Sequence, residues 1–139
     1  MEEVDTERPK SSAKDVISFA AIGMLFSLID DAPFNVDHLF GAQYWVWIEV
    51  LLKVLTYSFF VLSVSRALGS HRHISWKMNL SVILAVGWAN ADDSSFVLGD
   101  VYPVLRGDLW YQFDITIHFI SAVFLYLAIR EAMKSKISE

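Results

Sequence analysis

The chain has 139 residues, of which 55% are hydrophobic and 19% are charged, and its formal net charge is −5 at pH 7. An ordinary soluble domain is about 45–50% apolar and about 25% charged, so this composition is too apolar for that class and excludes a disordered chain. The acidic balance, without a basic stripe, excludes a nucleic-acid-binding protein, and the absence of Cys excludes disulfides and thiolate metal sites.

A polar tail at 1–14 precedes the first apolar stretch. Ser12 and Asp15 have the spacing of a capping box at the start of that stretch, and Pro33 disfavours helix beyond its end. The second stretch has roughly 22 residues, which is about 33 Å of helix and enough to cross a hydrocarbon core of about 30 Å.

Two further apolar stretches follow, one ending in Asp92-Asp93 and one beginning near Trp110. Four apolar stretches with short connections predict an all-α fold, an integral membrane four-helix bundle over 15–137. The predicted spans cover about 15–31, 44–65, 75–93 and 110–130.

Lys and Arg alternate along the chain in a way that predicts topology. The first connection has no Lys or Arg and the third has only Arg106, while both are rich in Asp. This is the positive-inside pattern of four crossings with both termini in the cytoplasm, which fits any plasma membrane. From the small size of the chain we expect a bacterial inner membrane. The remaining basic residues near membrane ends are Arg8, Lys10 and Lys14 in the tail, Arg66, Arg72 and Lys77 at the second connection, and Arg130, Lys134 and Lys136 at the C-terminus.

The two halves of the chain share a pattern. The motif D-D-x-x-F begins at Asp30 and again at Asp92, each time after an apolar stretch, at an offset of 62 residues. One interpretation is two helical hairpins related as a parallel repeat, by an axis along the membrane normal. The alternative is that unrelated membrane hairpins share aromatic belts and polar ends. In the second helices an offset of 65 aligns Trp45 with Trp110, Glu49 with Asp114, Lys53 with His118 and Phe59 with Phe124.

Ionisable residues inside a membrane span are costly and are therefore candidates for function. Carboxylate clusters suit hard cations, while Asp114 with His118 one turn deeper suits proton transfer, because His titrates near neutral pH. This predicts an outward-facing acidic cavity as a pathway or binding site for an ion. Its candidate residues are Glu49, Lys53, Asp114, His118, Asp30, Asp31, Asp92 and Asp93.

The alternative that these residues have only a structural role stays open. Glu49 with Lys53 and Asp114 with His118 are pairs at i, i+4 spacing that can neutralise each other, and the Asp pairs can be solvated helix ends. No cofactor is predicted beyond a bound cation of unknown identity. Haem is disfavoured because His118 is the single His within a predicted span. An enzyme is also disfavoured, and no catalytic residue is predicted, because nothing places an oxyanion hole near His118.

The leading hypothesis for function is a small membrane protein that binds or conducts a cation or proton through the acidic cavity. A four-helix bundle leaves little room for a pore, so this hypothesis favours a homo-oligomer. The alternative is a non-conducting accessory or anchor subunit, or an immunity or exclusion protein that binds another membrane protein. Membrane lipid is an expected partner in either case, and nucleic acid in neither.

The predicted topology is tested by labelling single Cys variants, because the chain has no Cys of its own. In intact cells or spheroplasts we expect Ser94→Cys to react with an impermeant maleimide from outside. Ser70→Cys should react only after the membrane is permeabilised. Labelling of both positions from the same side would contradict the topology.

Overall fold

A computed structural model describes residues 13–29, 42–69, 73–91 and 108–137, and within them the chain forms four α-helices and no strand. Helix α1 covers Ala13–Ser27 and helix α2 covers Ala42–Leu68. Helix α3 covers Trp76–Ala89 and helix α4 covers Asp108–Ile137. The prediction of an all-α fold with four helices is confirmed.

Two of the helices have the length and composition of a membrane span within the described residues. The candidate stretches are Trp47–Leu68 in α2 and Gln112–Ser135 in α4. Helices α1 and α3 have 15 and 14 residues. At 1.5 Å per residue each is only about 21–23 Å long, which is less than the hydrocarbon core of about 30 Å.

Polar side chains close the two short helices earlier than the sequence predicts. The Ser27 hydroxyl donates to the carbonyl oxygen of Met24 at 2.8 Å, and the Asn90 amide donates to the carbonyl oxygen of Val86 at 2.7 Å. These side-chain bonds add to the backbone bonds of the last turn, where the Met24 carbonyl oxygen also accepts from the N–H of Leu28 at 3.2 Å. The paired acids Asp30, Asp31, Asp92 and Asp93 lie outside the described residues.

Local interactions end α2 and begin α3. Gly69 follows the last residue of α2 with φ of 93°, a left-handed conformation that favours glycine, and its N–H donates to the carbonyl oxygen of Ser65 at 3.0 Å. Ser75 is the N-cap of α3, and its hydroxyl accepts from the N–H of Met78 at 3.3 Å.

The helices pack as two antiparallel hairpins, α1 with α2 and α3 with α4, and α2 joins the hairpins by contacting both α3 and α4. Within the first hairpin, the Ser63 hydroxyl donates to the carbonyl oxygen of Val16 at 2.7 Å, and the Phe26 ring stacks on Phe59 at 5.5 Å between centroids. Between hairpins, the Tyr57 hydroxyl donates to the side-chain oxygen of Asn79 at 3.0 Å.

An apolar core occupies the end of the bundle where α2 and α4 finish and α3 begins. Since side chains from three helices meet there, this core holds the two hairpins together. The buried members of the core are Phe60, Val64, Ala67, Leu68, Met78, Val82, Ala85, Leu125, Ala128 and Ala132.

The offsets that align the sequence motifs also align buried positions in the structure. Gly23 and Ser27 in α1 are buried, and so are Ala85 and Ala89, the residues 62 positions later in α3. The two hairpins therefore bury equivalent helix faces. At the offset of 65, five pairs are buried in both α2 and α4: Leu52 with Ile117, Thr56 with Ser121, Phe60 with Leu125, Ser63 with Ala128, and Ala67 with Ala132.

Gly23 allows α1 to approach α2 closely. A Cβ atom at this position would lie 2.6 Å from Cδ1 of Phe60, whose side chain is fully buried. Small residues at such crossings let helix backbones come together, as in the packing of helices in membranes.

Replacing Gly23 by Ala should therefore destabilise the fold. We expect a loss of about 1–3 kcal/mol in the free energy of unfolding, because the Phe60 ring must leave its packed position. Gly87→Ala is the matched control, since its added Cβ meets no atom within 4 Å. Thermal unfolding of both variants in detergent measures the effect, and equal midpoints for the two variants would contradict this packing.

Candidate functional site

Helix α4 has an uncharged exterior along most of its candidate span, while its acid and its histidine face the interior. Asp114 and His118, the two ionisable residues between Gln112 and Ile129, are both buried. A helix on the surface of a soluble protein has the opposite arrangement, with charge outside and apolar residues inside. The exposed side chains in this stretch carry no charge: Gln112, Ile115, Thr116, Phe119, Ala122, Val123, Tyr126 and Leu127.

The same arrangement continues on the other long helix. Glu49 and Lys53 of α2 are half-buried, and Trp47 near the start of the helix is 74% exposed. Among the α2 side chains before Arg66 whose burial the structure describes, the other exposed ones are apolar or aromatic, which is the surface expected to face hydrocarbon. They are Tyr44, Val50, Leu51, Val54, Tyr57 and Leu62.

Asp114 and His118 form a direct contact inside the bundle. Nδ1 of His118 lies 3.0 Å from the carbonyl oxygen of Asp114 and 3.3 Å from its carboxylate Oδ1. The backbone carbonyl oxygen is an acceptor, so Nδ1 carries a proton when this hydrogen bond forms, while the carboxylate Oδ1 lies beside Nδ1 without a hydrogen bond to it. In the neutral ring Nε2 is then the basic nitrogen, and it is also buried. The backbone carbonyl of Asp114 thus favours the tautomer with the proton on Nδ1 and orients the ring.

Buried hydroxyl groups lie on the inward faces of both α4, which carries this pair, and α2. Ser121 is one turn beyond His118 on the same face, and its hydroxyl contacts the Met24 sulfur at 3.9 Å. Thr56 on α2 is fully buried, and within the described residues its Oγ1 has no hydrogen-bond partner. An unsatisfied buried hydroxyl costs free energy, so Thr56 is a position where a water molecule or an ion would be stabilising.

The structure brings together some of the predicted site residues and leaves others apart. Asp114 and His118 are in contact and buried, whereas Glu49 and Lys53 are half-buried on α2. The acidic cavity as a whole stays a prediction, because its four outer acids lie outside the described residues. Those acids are Asp30, Asp31, Asp92 and Asp93.

Within the described part of the chain, no group of three or more His, Asp and Glu side chains is placed to hold a metal ion. Divalent cations such as Ca²⁺ and Mg²⁺ need several oxygen ligands, which a single carboxylate beside one imidazole does not supply.

Thr56 and Ser121 were missed as site residues by the sequence interpretation. Their signal was available, because each lies seven residues after an aligned acid, Glu49 or Asp114, and therefore about two turns further along the same face. Hydroxyl residues are common in apolar helices, however, so the pattern alone did not distinguish them from lipid-facing positions.

Comparison of the chain with protein-family models, with curated proteins and with solved structures found no match. A function must therefore be inferred from the residues and geometry of the chain itself.

The contact between Asp114 and His118 predicts energetic coupling between the two side chains. In a double-mutant cycle with Asp114→Asn and His118→Gln, we expect a coupling of about 0.5–3 kcal/mol, because the pair is buried and in contact. Glu49→Gln with Lys53→Gln is the matched cycle on α2, and its half-buried groups should couple by about 0.2–1 kcal/mol. Unfolding in detergent measures both cycles, and strictly additive effects at Asp114 and His118 would contradict the contact.

Proposed function

We propose that the protein is a four-helix membrane protein that takes up protons at Asp114 and His118 and transfers them. In this proposal protons reach the pair from the predicted outer side of the membrane. The observation that carries the proposal is the reversed polarity of α4. Its two ionisable side chains face inward and its exposed side chains are uncharged over the whole stretch from Gln112 to Ile129.

Placement in a membrane is supported by the fraction of apolar surface left exposed. Only 28% of the residues in the candidate span of α2 and 33% of those in the candidate span of α4 are buried within the chain. In water such a surface would drive aggregation, whereas in hydrocarbon it needs no partner. Helices α1 and α3 are short, but a bilayer can thin locally around short helices at a modest cost.

The chemistry of the pair supports proton uptake. Nε2 of the neutral ring can accept a proton, and the resulting imidazolium is stabilised by the Asp114 carboxylate 3.3 Å from Nδ1. Release of either ring proton restores the neutral ring. The hydroxyls of Ser121 and Thr56 are donors and acceptors that can extend the path by hydrogen bonds through water.

The position of the pair supports access from one side. Asp114 lies six residues after the start of α4 at Asp108, which is about 9 Å along the helix. The apolar core around Phe60 and Leu125 fills the opposite half of the bundle. Water entering from the end at which α4 begins would therefore reach the pair before it met the core.

The packed core is also the observation that favours a second candidate function. Phe60, Val64 and Val82 are fully buried, so the described part of one chain has a filled interior at that level. A non-conducting subunit, or an immunity or exclusion protein that binds another membrane protein, needs no path through this layer. Transfer of protons across the membrane by the proposed protein requires a path past this layer.

Proton flux into liposomes that contain the purified protein tests the proposal. With an imposed pH gradient and a trapped pH-sensitive dye, we expect acidification of the lumen that is lost in Asp114→Asn and in His118→Gln. Asp15→Asn, which removes a half-buried acid at the start of α1, is the matched control and should retain the flux.

Correct insertion of each variant is checked by flotation of the vesicles and resistance of the protein to alkaline extraction. A flat trace for H⁺, Na⁺, K⁺, Mg²⁺ and Ca²⁺ from inserted wild-type protein would overturn proton transfer and leave the partner subunit as the better account.

A further inference from the structure

A groove lies between α3 and α4, at the opposite end of α4 from Asp114. It has a volume of about 290 Å³, and its walls come from one face of each helix. Residues 77, 78 and 81 share a face of α3, and residues 127, 130, 131 and 134 share a face of α4, as their spacing of three and four requires. The lining side chains are Lys77, Met78, Ser81, Leu127, Arg130, Glu131 and Lys134.

The groove concentrates positive charge. Lys77, Arg130 and Lys134 face a single acid, Glu131. Among the ion pairs formed by the described residues, none includes any of these three cations. The N-terminus of α3 adds to the field, since Lys77 follows the N-cap Ser75 by two residues and the N–H groups of a first turn carry partial positive charge.

The groove also adjoins apolar surface. Met78 and Leu127 form part of its wall, and further along α3 the exposed side chains include Leu80, Ile83 and Leu84. Trp76, beside Lys77, is 71% exposed, as is typical of an aromatic residue at the boundary between headgroups and hydrocarbon.

We infer that this groove binds the phosphodiester headgroup of an anionic phospholipid, with the acyl chains lying along the apolar surface of α3 and α4. Arg130 supplies a planar fork of donors for phosphate oxygens, Lys77 and Lys134 supply point charges, and the Ser81 hydroxyl supplies a further donor. Basic pockets between helices on the cytoplasmic side are suited to anionic headgroups. The inference rests on the proposed membrane location and does not depend on proton transfer.

A lipid fits the groove better than a free phosphate ion does. A free ion would use the cations but leave Met78, Leu127 and the exposed leucines of α3 without a ligand to cover them. A phospholipid covers both surfaces at once, because its anionic and apolar parts are joined at the level where Trp76 lies.

The test reconstitutes the full chain into two vesicle preparations, one of phosphatidylcholine and one of an equal mixture of phosphatidylcholine and phosphatidylglycerol. After mild detergent extraction, native mass spectrometry counts the retained lipids. We expect retained phosphatidylglycerol in excess of its share of the vesicle. Each of Lys77→Gln, Arg130→Gln and Lys134→Gln should weaken its retention by about fivefold.

Two further variants keep the test decisive. Arg66→Gln removes a cation at the same end of the bundle but outside the groove, and it should leave retention unchanged. Glu131→Gln removes the single acid of the groove and should increase retention, a gain that misfolding cannot imitate.

The outcomes separate the possible failures. Insertion with equal retention of the two lipids, or equal losses in Arg66→Gln and Arg130→Gln, would overturn the headgroup site alone. Displacement of phosphatidylglycerol by inorganic phosphate at equal concentration would show a free-anion site and also overturn it. Failure of the wild-type chain to enter either vesicle would overturn the proposed membrane location as well.

Discussion

The burial of Asp114 and His118 constrains the orientation of α4 and, through α4, that of the bundle. An acid and a histidine in a helical stretch that is otherwise uncharged face either the protein interior or the surroundings. Here they face inward, with 3.3 Å between His118 Nδ1 and Asp114 Oδ1. Ile117, Ser121 and Leu125 then also face inward, because they share that side of the helix.

The two hairpins use equivalent faces for packing but differ at their acid and base. Gly23 and Ala85 occupy matching buried positions on the short helices, and Thr56 and Ser121 do so on the long ones. The difference lies one or two turns earlier, where Asp114 and His118 are buried while Glu49 and Lys53 are half-buried. If the two hairpins pack alike and only the second buries its acid and base, proton transfer would take place in the second hairpin.

The sequence predicted the existence of four helices, because apolar stretches are a strong local signal, and it singled out Asp114 and His118 as candidates, because ionisable residues are rare in such stretches. It did not predict where the short helices end, since Ser27 and Asn90 act through hydrogen bonds within the last turn. Nor did it predict the burial of Asp114 as against Glu49, because helices that are apolar on all sides carry little periodic signal. The basic groove was missed for a different reason: Lys77 and Arg130 are distant in sequence and meet only when α3 packs on α4.

Protonation of His118 in a lipid bilayer is the most direct measure of the central claim, which is that an inward-facing pair exchanges protons with the outer solution. A chain with His38, His71 and His73 replaced by Gln has His118 as its single imidazole. In sealed, oriented vesicles, the nitrogen NMR signal of this ring should follow the pH of the solution on the predicted outer side of the membrane. It should not follow the pH on the predicted cytoplasmic side. The response should change in Asp114→Asn. A ring that ignores the pH on both sides would contradict the account.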